Sequence, residues 1–455
     1  MMSQANMVVP PGPRRAPLVG LYGNILPFLR NPVTYMQELH HRYGDIASLS
    51  EGTSDYVFTF APGYNQQILG NPALFFNADA DSSPIRVPKR ATFSRILAGA
   101  LNQMNGPRHK QQRRLMMPAF HKQRIEAYRD DIVAMAEQYL AAWQFGQQLE
   151  MLAEMRQLTL NIAVKTLIGL DPNQGGGYLS RQLERWQQLF FSTLTILLPV
   201  NLPGLPYHGL LKGAEALIAE IQQIIARKRA RGIDDGDVLS ILLQAHDEED
   251  GSRLTDEELI GQTITLFIAG HETTASALTW TLFLLAQHPQ VLAALLAELD
   301  SKLEGRAPAM DQINDLPLLD GVIKESMRLL PPFIWQMRFS QAPCELGPYA
   351  LPQGAAVIVS SIVTHHRSDL YPQPDKFWPE RWLTINPTAY EYFPFSAGPR
   401  MCLGATFAML ELKIVLAIIL QRYRLSLPPQ VTLDRTGLIF SVPKGGLPMQ
   451  VNPPD

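Results

Sequence analysis

Cysteine is nearly missing from this 455-residue chain: Cys344 and Cys402, 58 positions apart, are all it has. Two thiols so separated make neither a disulfide framework nor a C-x-x-C metal or redox pair, and they suit a reducing cytoplasm. A strong charge of either sign is missing as well. With 39 Lys+Arg against 42 Asp+Glu, the formal charge is -3, which points to no polyanionic partner and excludes nucleic-acid specialisation. Residues 1–17 contain no apolar run of bilayer-spanning length and no charged-then-apolar signal pattern, so a soluble, cytoplasmic protein with no transmembrane anchor is expected. A G-x-G-x-x-G nucleotide fingerprint is also lacking. The acidic clusters at 234–237 and 246–251 do not have EF-hand spacing and read as solvated loops.

What is present is an ordinary globular balance, 46% hydrophobic and 18% charged residues, which argues against disorder. The proline-rich opening Pro10-Pro11-Gly12-Pro13 cannot be helical, so residues 1–17 are expected to be an extended lead-in to one domain over 18–455. Asn31-Pro32 starts a helix that Gly44 ends, and residues 46–49 and 56–60 read as a hairpin. A second short helix is expected at 62–69. Residues 79–101 are irregular. The apolar stretch at 189–206 is broken by prolines and is either packed core or a mobile connection to a helix over 214–231. Thr255-Asp256-Glu257-Glu258 is a capping box and opens a helical pattern lasting to His288-Pro289. At 1.5 Å per residue that helix is roughly 45 Å long, enough to cross a whole domain.

The chemistry gathers around Phe395-Ser396-Ala397-Gly398-Pro399-Arg400-Met401-Cys402-Leu403-Gly404. A Gly/Pro loop delivers a cysteine to the start of an apolar helix over 405–420, where unpaired N–H groups and the helix dipole favour a thiolate, the form a metal needs. Gly398 and Gly404 permit close approach to a flat group, and Arg400 sets a cation beside it. Inside the long helix, Ala269-Gly270-His271-Glu272-Thr273-Thr274 is costly in helix propensity. Its small residues leave room for a ligand against the backbone.

The string matches F-x-x-G-x-R-x-C-x-G, and the chain resembles the cytochrome P450 family of haem-thiolate monooxygenases. The resemblance implies a mainly α fold with small β-sheets, and haem b held between the long central helix and the cysteine-bearing helix. Cys402 would be the iron ligand, flanked by Phe395, Gly398 and Gly404. His109 and Arg113, four apart on a basic helix, would donate to the haem propionates with Arg338 and Arg400. Ala269 and Gly270 would lie over the haem, with Thr273 and Glu272 serving proton delivery to dioxygen. Glu325, Arg328 and Arg381 match the family's E-x-x-R and its second arginine, a structural lock on the cysteine loop. Leu266, Phe267, Ile334 and Trp335 would line the substrate pocket.

The implied reaction inserts one oxygen atom from O2 into a C–H bond of a lipophilic small molecule, a fatty acid, terpenoid or similar compound. Electrons would come from a separate ferredoxin or flavodoxin with its NAD(P)H-dependent reductase, and Arg108, Lys110, Arg114, Lys122 and Arg124 are candidate contacts for an acidic donor. A peroxide-driven peroxygenase, a haem-thiolate isomerase and a haem-based sensor are the rival readings. The intact Glu272-Thr273 pair speaks against the first two.

Overall fold

Asn31 opens the first well-defined helix as the sequence predicts, its side chain accepting from the Thr34 N–H at 3.2 Å while Gly44 closes the far end at φ +82°. The computed structural model describes residues 8–15, 20, 22–78, 92–172, 176–190, 192, 194–195, 198–429, 434–437 and 440–454. In chain order, α1 (Tyr22–Arg30) and α2 (Pro32–Tyr43) precede β1 (Ile46–Ser48), β2 (Tyr56–Thr59), α3 (Pro62–Leu69) and β3 (Phe75–Phe76). Then come α4 (Thr92–Ala98), α5 (Gly106–Met116), α6 (Lys122–Leu140), β4 (Gln148–Glu150), α7 (Met151–Ala163), α8 (Gly177–Phe190), α9 (Pro206–Arg231) and α10 (Val238–Gln244). The long α11 (Asp256–Gln287) is followed by α12 (Pro289–Leu303), α13 (Met310–Ile313) and α14 (Pro317–Leu329). Strands β5 (Gln336–Ser340), β6 (Cys344–Leu346), β7 (Tyr349–Leu351) and β8 (Ala356–Val359) lead to α15 (Ser361–His365) and α16 (Ala405–Arg422). The last strands are β9 (Arg424–Ser426), β10 (Arg435–Thr436), β11 (Val442–Pro443) and β12 (Pro448–Asn452).

A five-stranded sheet in the order β1-β2-β8-β5-β3 sits to one side, with β2 and β8 parallel and its other neighbours antiparallel. The helical remainder is organised on α11. Its capping box is present in full, Thr255 and Glu258 bonding each other's backbone N–H groups at 3.2 and 3.0 Å. α11 is helical without interruption over 32 residues and packs against α7, α14, α16 and α4, so nearly every turn is buried on several sides. A helix apolar all round belongs in a core, which is what its neighbours make of it. Among the described residues no single helix is long and apolar enough to cross a membrane.

Four sequence expectations shift. Within 79–101, residues 79–91 lie outside the described residues, but 92–98 form α4, packed on α9 and α11. α9 begins at Pro206, a turn and more before the expected 214, because Pro206 at the first helical position suits a helix start. Residues 355–362 read in the sequence as one β-like run, but the strand stops at Val359 and Ser360 caps a short helix, Ser361–His365. Of the 189–206 connection, Leu194, Leu198, Val200 and Leu202 are exposed, so these four are not core; residues 191, 193, 196 and 197 lie outside the described residues. The proline-rich opening is extended along the sheet, Pro11 and Pro13 carbonyls accepting from the Ser48 and Glu51 N–H groups.

Candidate active site

The cysteine loop is shaped by its own backbone. Gly398 sits at φ +69°, and a Cβ there would collide with the Leu69 carbonyl oxygen, so only glycine fits. Ser396, also left-handed at φ +62°, is held by its hydroxyl donating to Gln336 Oε1 at 2.7 Å. The Cys402 N–H then donates to Phe395 O at 2.8 Å, closing the loop just before α16. Cys402 is exposed, yet burial is the largest influence on its thiol and pushes it up, against the Gly404 N–H and Arg113, which favour the thiolate. Both facts hold if the sulfur faces an interior cleft and not bulk water. The protein's own groups leave the ionisation to a metal cation at the sulfur.

Four basic side chains converge beside it. His109 and Arg113 lie one turn apart on α5, Arg338 comes from β5 and Arg400 from the loop. Burial first, then Arg400, Arg113 and Arg338, hold the His109 imidazole down at about 4. Burial lowers Arg338 to about 10, and burial with Arg338 and Arg113 lowers Arg400 to about 10. Arg400 is fixed by donating to Met104 O at 2.8 Å and Asn105 Oδ1 at 3.2 Å, and Arg338 by donating to Met337 O at 2.9 Å. Among the described residues no carboxylate acts on any of these four. Buried like charges are costly alone, so the nest is built for an anion, and four donors from three elements suit two carboxylates.

On α11 an accessible stripe interrupts the burial. Ala269 is exposed and Leu266, Gly270 and Thr273 partly so, the i, i+3, i+4, i+7 positions of one face. A Cβ at Gly270 would meet nothing within 4 Å, and one at Gly404 only Phe120, at 3.8 Å. Neither glycine is required by protein packing, which fits a flat group lying against both. Thr273 Oγ1 donates to Ala269 O at 2.6 Å and Thr274 Oγ1 to Gly270 O at 2.8 Å, without breaking the helix.

Glu272 is gripped from outside the accessible stripe. Its carboxylate is buried on a different side of α11 from Thr273, accepting from Arg156 Nε at 3.0 Å by both oxygens, from Arg156 Nη2, and from Gln187 Nε2 at 3.4 Å. It is not hydrogen-bonded to Thr273. Arg156 on α7 has a side chain 42% accessible, so the acid is joined to the outside and not to the stripe. Neither Arg156 nor Gln187 is marked by any sequence motif; they lie 116 and 85 positions from Glu272.

The pocket expectations divide. Leu266 is on the accessible stripe, but Phe267, Ile334 and Trp335 are buried at 0%, 1% and 7% exposure. Phe267 faces the helical core, while Ile334 and Trp335 turn to the sheet side, Trp335 packing 5.8 Å from Phe28. The adjacent Phe333 is 37% exposed, its ring 4.6 Å from that of Phe440 and tilted by 43° to it, a partner no periodicity could reveal.

Glu325, Arg328 and Arg381 do come together, all essentially buried. Glu325 Oε1 accepts from Arg328 Nη2 and Arg381 Nε at 2.9 Å and from the Trp378 N–H at 3.1 Å. Its Oε2 accepts from Arg328 Nε at 2.9 Å and Trp382 Nε1 at 3.0 Å. The arginines reach on to the carbonyls of His365 and Pro372, each at 2.8 Å, which fastens α14 to the segment leading into the cysteine loop.

The acidic 246–251 loop is not merely solvated, and it alters the basic patch. Arg114 pairs with Asp247 at 2.7 Å and with Glu249 at 2.6 Å, Arg108 with Glu258 at 3.3 Å, and Arg124 with Asp234 at 2.7 Å. Lys122 also pairs with Glu126, at 3.8 Å, so four of the five cations expected to meet an acidic donor are engaged within the chain.

A cysteine at a helix start, a nest of cations for two carboxylates and a glycine-lined helix face define a haem-thiolate site. The cytochrome P450 family profile matches residues 10–447, and the chain belongs to that family. It is 32% identical over 444 residues to cyclooctat-9-en-7-ol 5-monooxygenase of Streptomyces melanosporofaciens, covering 96% of this chain and 94% of that one. It is 29% identical over 449 residues to pentalenene oxygenase of Streptomyces avermitilis, covering 96% of each. A retinoic acid-bound cyanobacterial CYP120A1 superposes with a TM-score of 0.85 at 26% identity, over 99% of this chain and 100% of that one. The protein is therefore a P450 monooxygenase, an oxidoreductase that uses haem, O2 and a redox partner on lipophilic substrates.

Proposed function

We propose that this enzyme inserts one atom of O2 into a C–H bond of a terpenoid or similarly lipophilic small molecule, drawing electrons from a ferredoxin or flavodoxin and its reductase. The substrate reading is supported by the names of the relatives, which oxidise cyclooctat-9-en-7-ol and pentalenene. The apolar and small stripe of Leu266, Ala269 and Gly270, with the Phe333–Phe440 pair, suits such a substrate. The cofactor is haem b in a single catalytic domain over 18–455, preceded by the lead-in, and the two free thiols suit the cytoplasm. The observation that carries the reading is the nest of His109, Arg113, Arg338 and Arg400 beside Cys402 with no carboxylate of its own.

Each residue has a stated task. Cys402 would hold the iron, with the Gly404 N–H and Arg113 favouring its thiolate. The nest would hold two propionates, with His109 and the three arginines as donors to their oxygens. Haem, when bound, supplies the one-electron and dioxygen chemistry. Thr273 keeps its hydroxyl proton on Ala269 O and leaves its lone pairs free to order a water on the accessible stripe. Glu272 is paired with Arg156 and delivers a proton from outside only on exchanging that partner. Glu325, Arg328 and Arg381 fix the loop and take no part in the chemistry.

The test pairs haem-loaded enzyme with ferredoxin and its reductase and offers cyclised terpene hydrocarbons and alcohols. Oxygenated product is expected, with Thr273→Ala consuming reductant at a similar rate while forming far less product. Unchanged coupling in that variant would remove the proton-handling role of Thr273, and turnover of the chain with NADPH alone would remove the separate donor.

A further inference from the structure

Away from the haem site, a cleft of about 360 Å³ opens between the end of α6, the segment leading to β4, and α7. Its polar centre is Glu154. One carboxylate oxygen, Oε2, accepts both from Tyr139 Oη at 3.0 Å and from Trp143 Nε1 at 2.9 Å. Among the described residues the other oxygen has no hydrogen-bond partner, and none of their ion pairs includes Glu154. Glu272, Asp237 and Glu325, buried, and Asp320, partly so, each hold a cation instead. Around Glu154 the walls are Met135 and Leu149, apolar, with the Gln147 side chain at the rim.

From this arrangement we infer that the cleft is a binding site for a small primary alkylammonium compound. The charge requirement follows from the fixed carboxylate, whose bound oxygen is oriented by two rigid donors and whose free oxygen is left to accept. A primary ammonium meets a single oxygen with one N–H and still has two for water, whereas a guanidinium fork would need both oxygens. The thioether and leucine walls suit a short alkyl tail, and the volume lies within the range of small-molecule sites. A metal ion is disfavoured, since no group of three His, Cys, Asp or Glu is gathered among the described residues. The Tyr139 phenol is pushed up by burial and then by Glu154, so it stays a donor throughout the neutral range.

The experiment titrates n-pentylammonium chloride into the haem-loaded full chain. It reads ligand-observed saturation transfer together with the Soret band, with n-pentanol and pentanoate as controls. Saturable ammonium binding that leaves the Soret band in place is expected, weakened about tenfold or more in Glu154→Gln, the loss expected of one charge-assisted hydrogen bond. Gln147→Trp, an exposed position at the rim, should block the cleft without touching the carboxylate. Equal binding of pentanol overturns the inference, as does binding unchanged in both variants. An amine that only ligates the iron shifts the Soret band and binds Glu154→Gln as well as the parent, which overturns it too.

Discussion

Replacing Glu325 by Gln is the sharpest test of how the cysteine loop is held. The carboxylate accepts five hydrogen bonds, three at Oε1 and two at Oε2, from two guanidinium groups, an indole and a backbone N–H. An amide of the same shape has one acceptor oxygen. Whichever way it turns, its NH2 confronts at least two donors, and two arginines at 0% and 2% exposure lose the one negative partner they have among the described residues. Breaking one side of a buried ion pair costs about 3–5 kcal/mol, against a total stability of about 5–15 kcal/mol for a folded domain. Up to most of the stability of the region is therefore at stake. Thermal melting and the carbon-monoxide difference spectrum of dithionite-reduced protein should show a lowered transition and a diminished haem-thiolate band. The control is Arg306→Ala, which removes an exposed pair with Glu304, both side chains more than 70% accessible, and should cost less than about 1 kcal/mol. Should Glu325→Gln melt with that control and carry as much haem, the reasoning fails.

Two glycines that look alike in sequence should behave oppositely. Gly398→Ala, strained by its positive φ and by the Leu69 carbonyl, should lose about 2 kcal/mol or more in denaturant titration of the haem-free chain. Gly404→Ala should leave that titration within about 0.5 kcal/mol and instead weaken haem uptake, since a Cβ there meets only Phe120 at van der Waals distance. Acid should destabilise the fold through His365 and His366. Burial holds His365 well below 6.5 and His366 at about 4, so the folded state binds fewer protons there than the unfolded chain. Stability is intact above 6.5 and falls as pH drops toward 4, by about 2 kcal/mol for His366 at pH 5, and replacing His366 with Gln should flatten that slope in urea melts.

Where a signal was local, the sequence could be read: the capping box at Thr255, the glycine that ends α2, and the i, i+3 pair of Glu325 and Arg328 all depend on neighbours within one turn. The cation nest was reachable for a different reason: the i, i+4 spacing sets His109 and Arg113 on one face of α5, and the family resemblance adds Arg400 of the cysteine loop and Arg338 of β5. Side-chain direction was not reachable. Ile334 and Trp335 are adjacent to Phe333 and just as apolar, but β5 and the segment before it turn them toward the sheet-side core. Glu272 and Thr273 are neighbours in sequence, and the 100° step of a helix sends them to different sides. The grip of Arg156 and Gln187 on Glu272 exists only because α7 packs on α11 and α8 brings Gln187 within reach of it. Glu411, buried in α16 with an Oε1 that has no hydrogen-bond partner among the described residues and with its carboxyl pushed well up by burial, carries no pattern that would distinguish it from a surface acid.

The tether between α5 and the loop after α10 also bears on how this enzyme meets its electron donor. With Arg108 and Arg114 already discharged by Glu258, Asp247 and Glu249, little long-range field is left on that flank to draw in a negatively charged carrier. Encounter would then depend on short-range fit, and its rate should change only gently between dilute and concentrated salt.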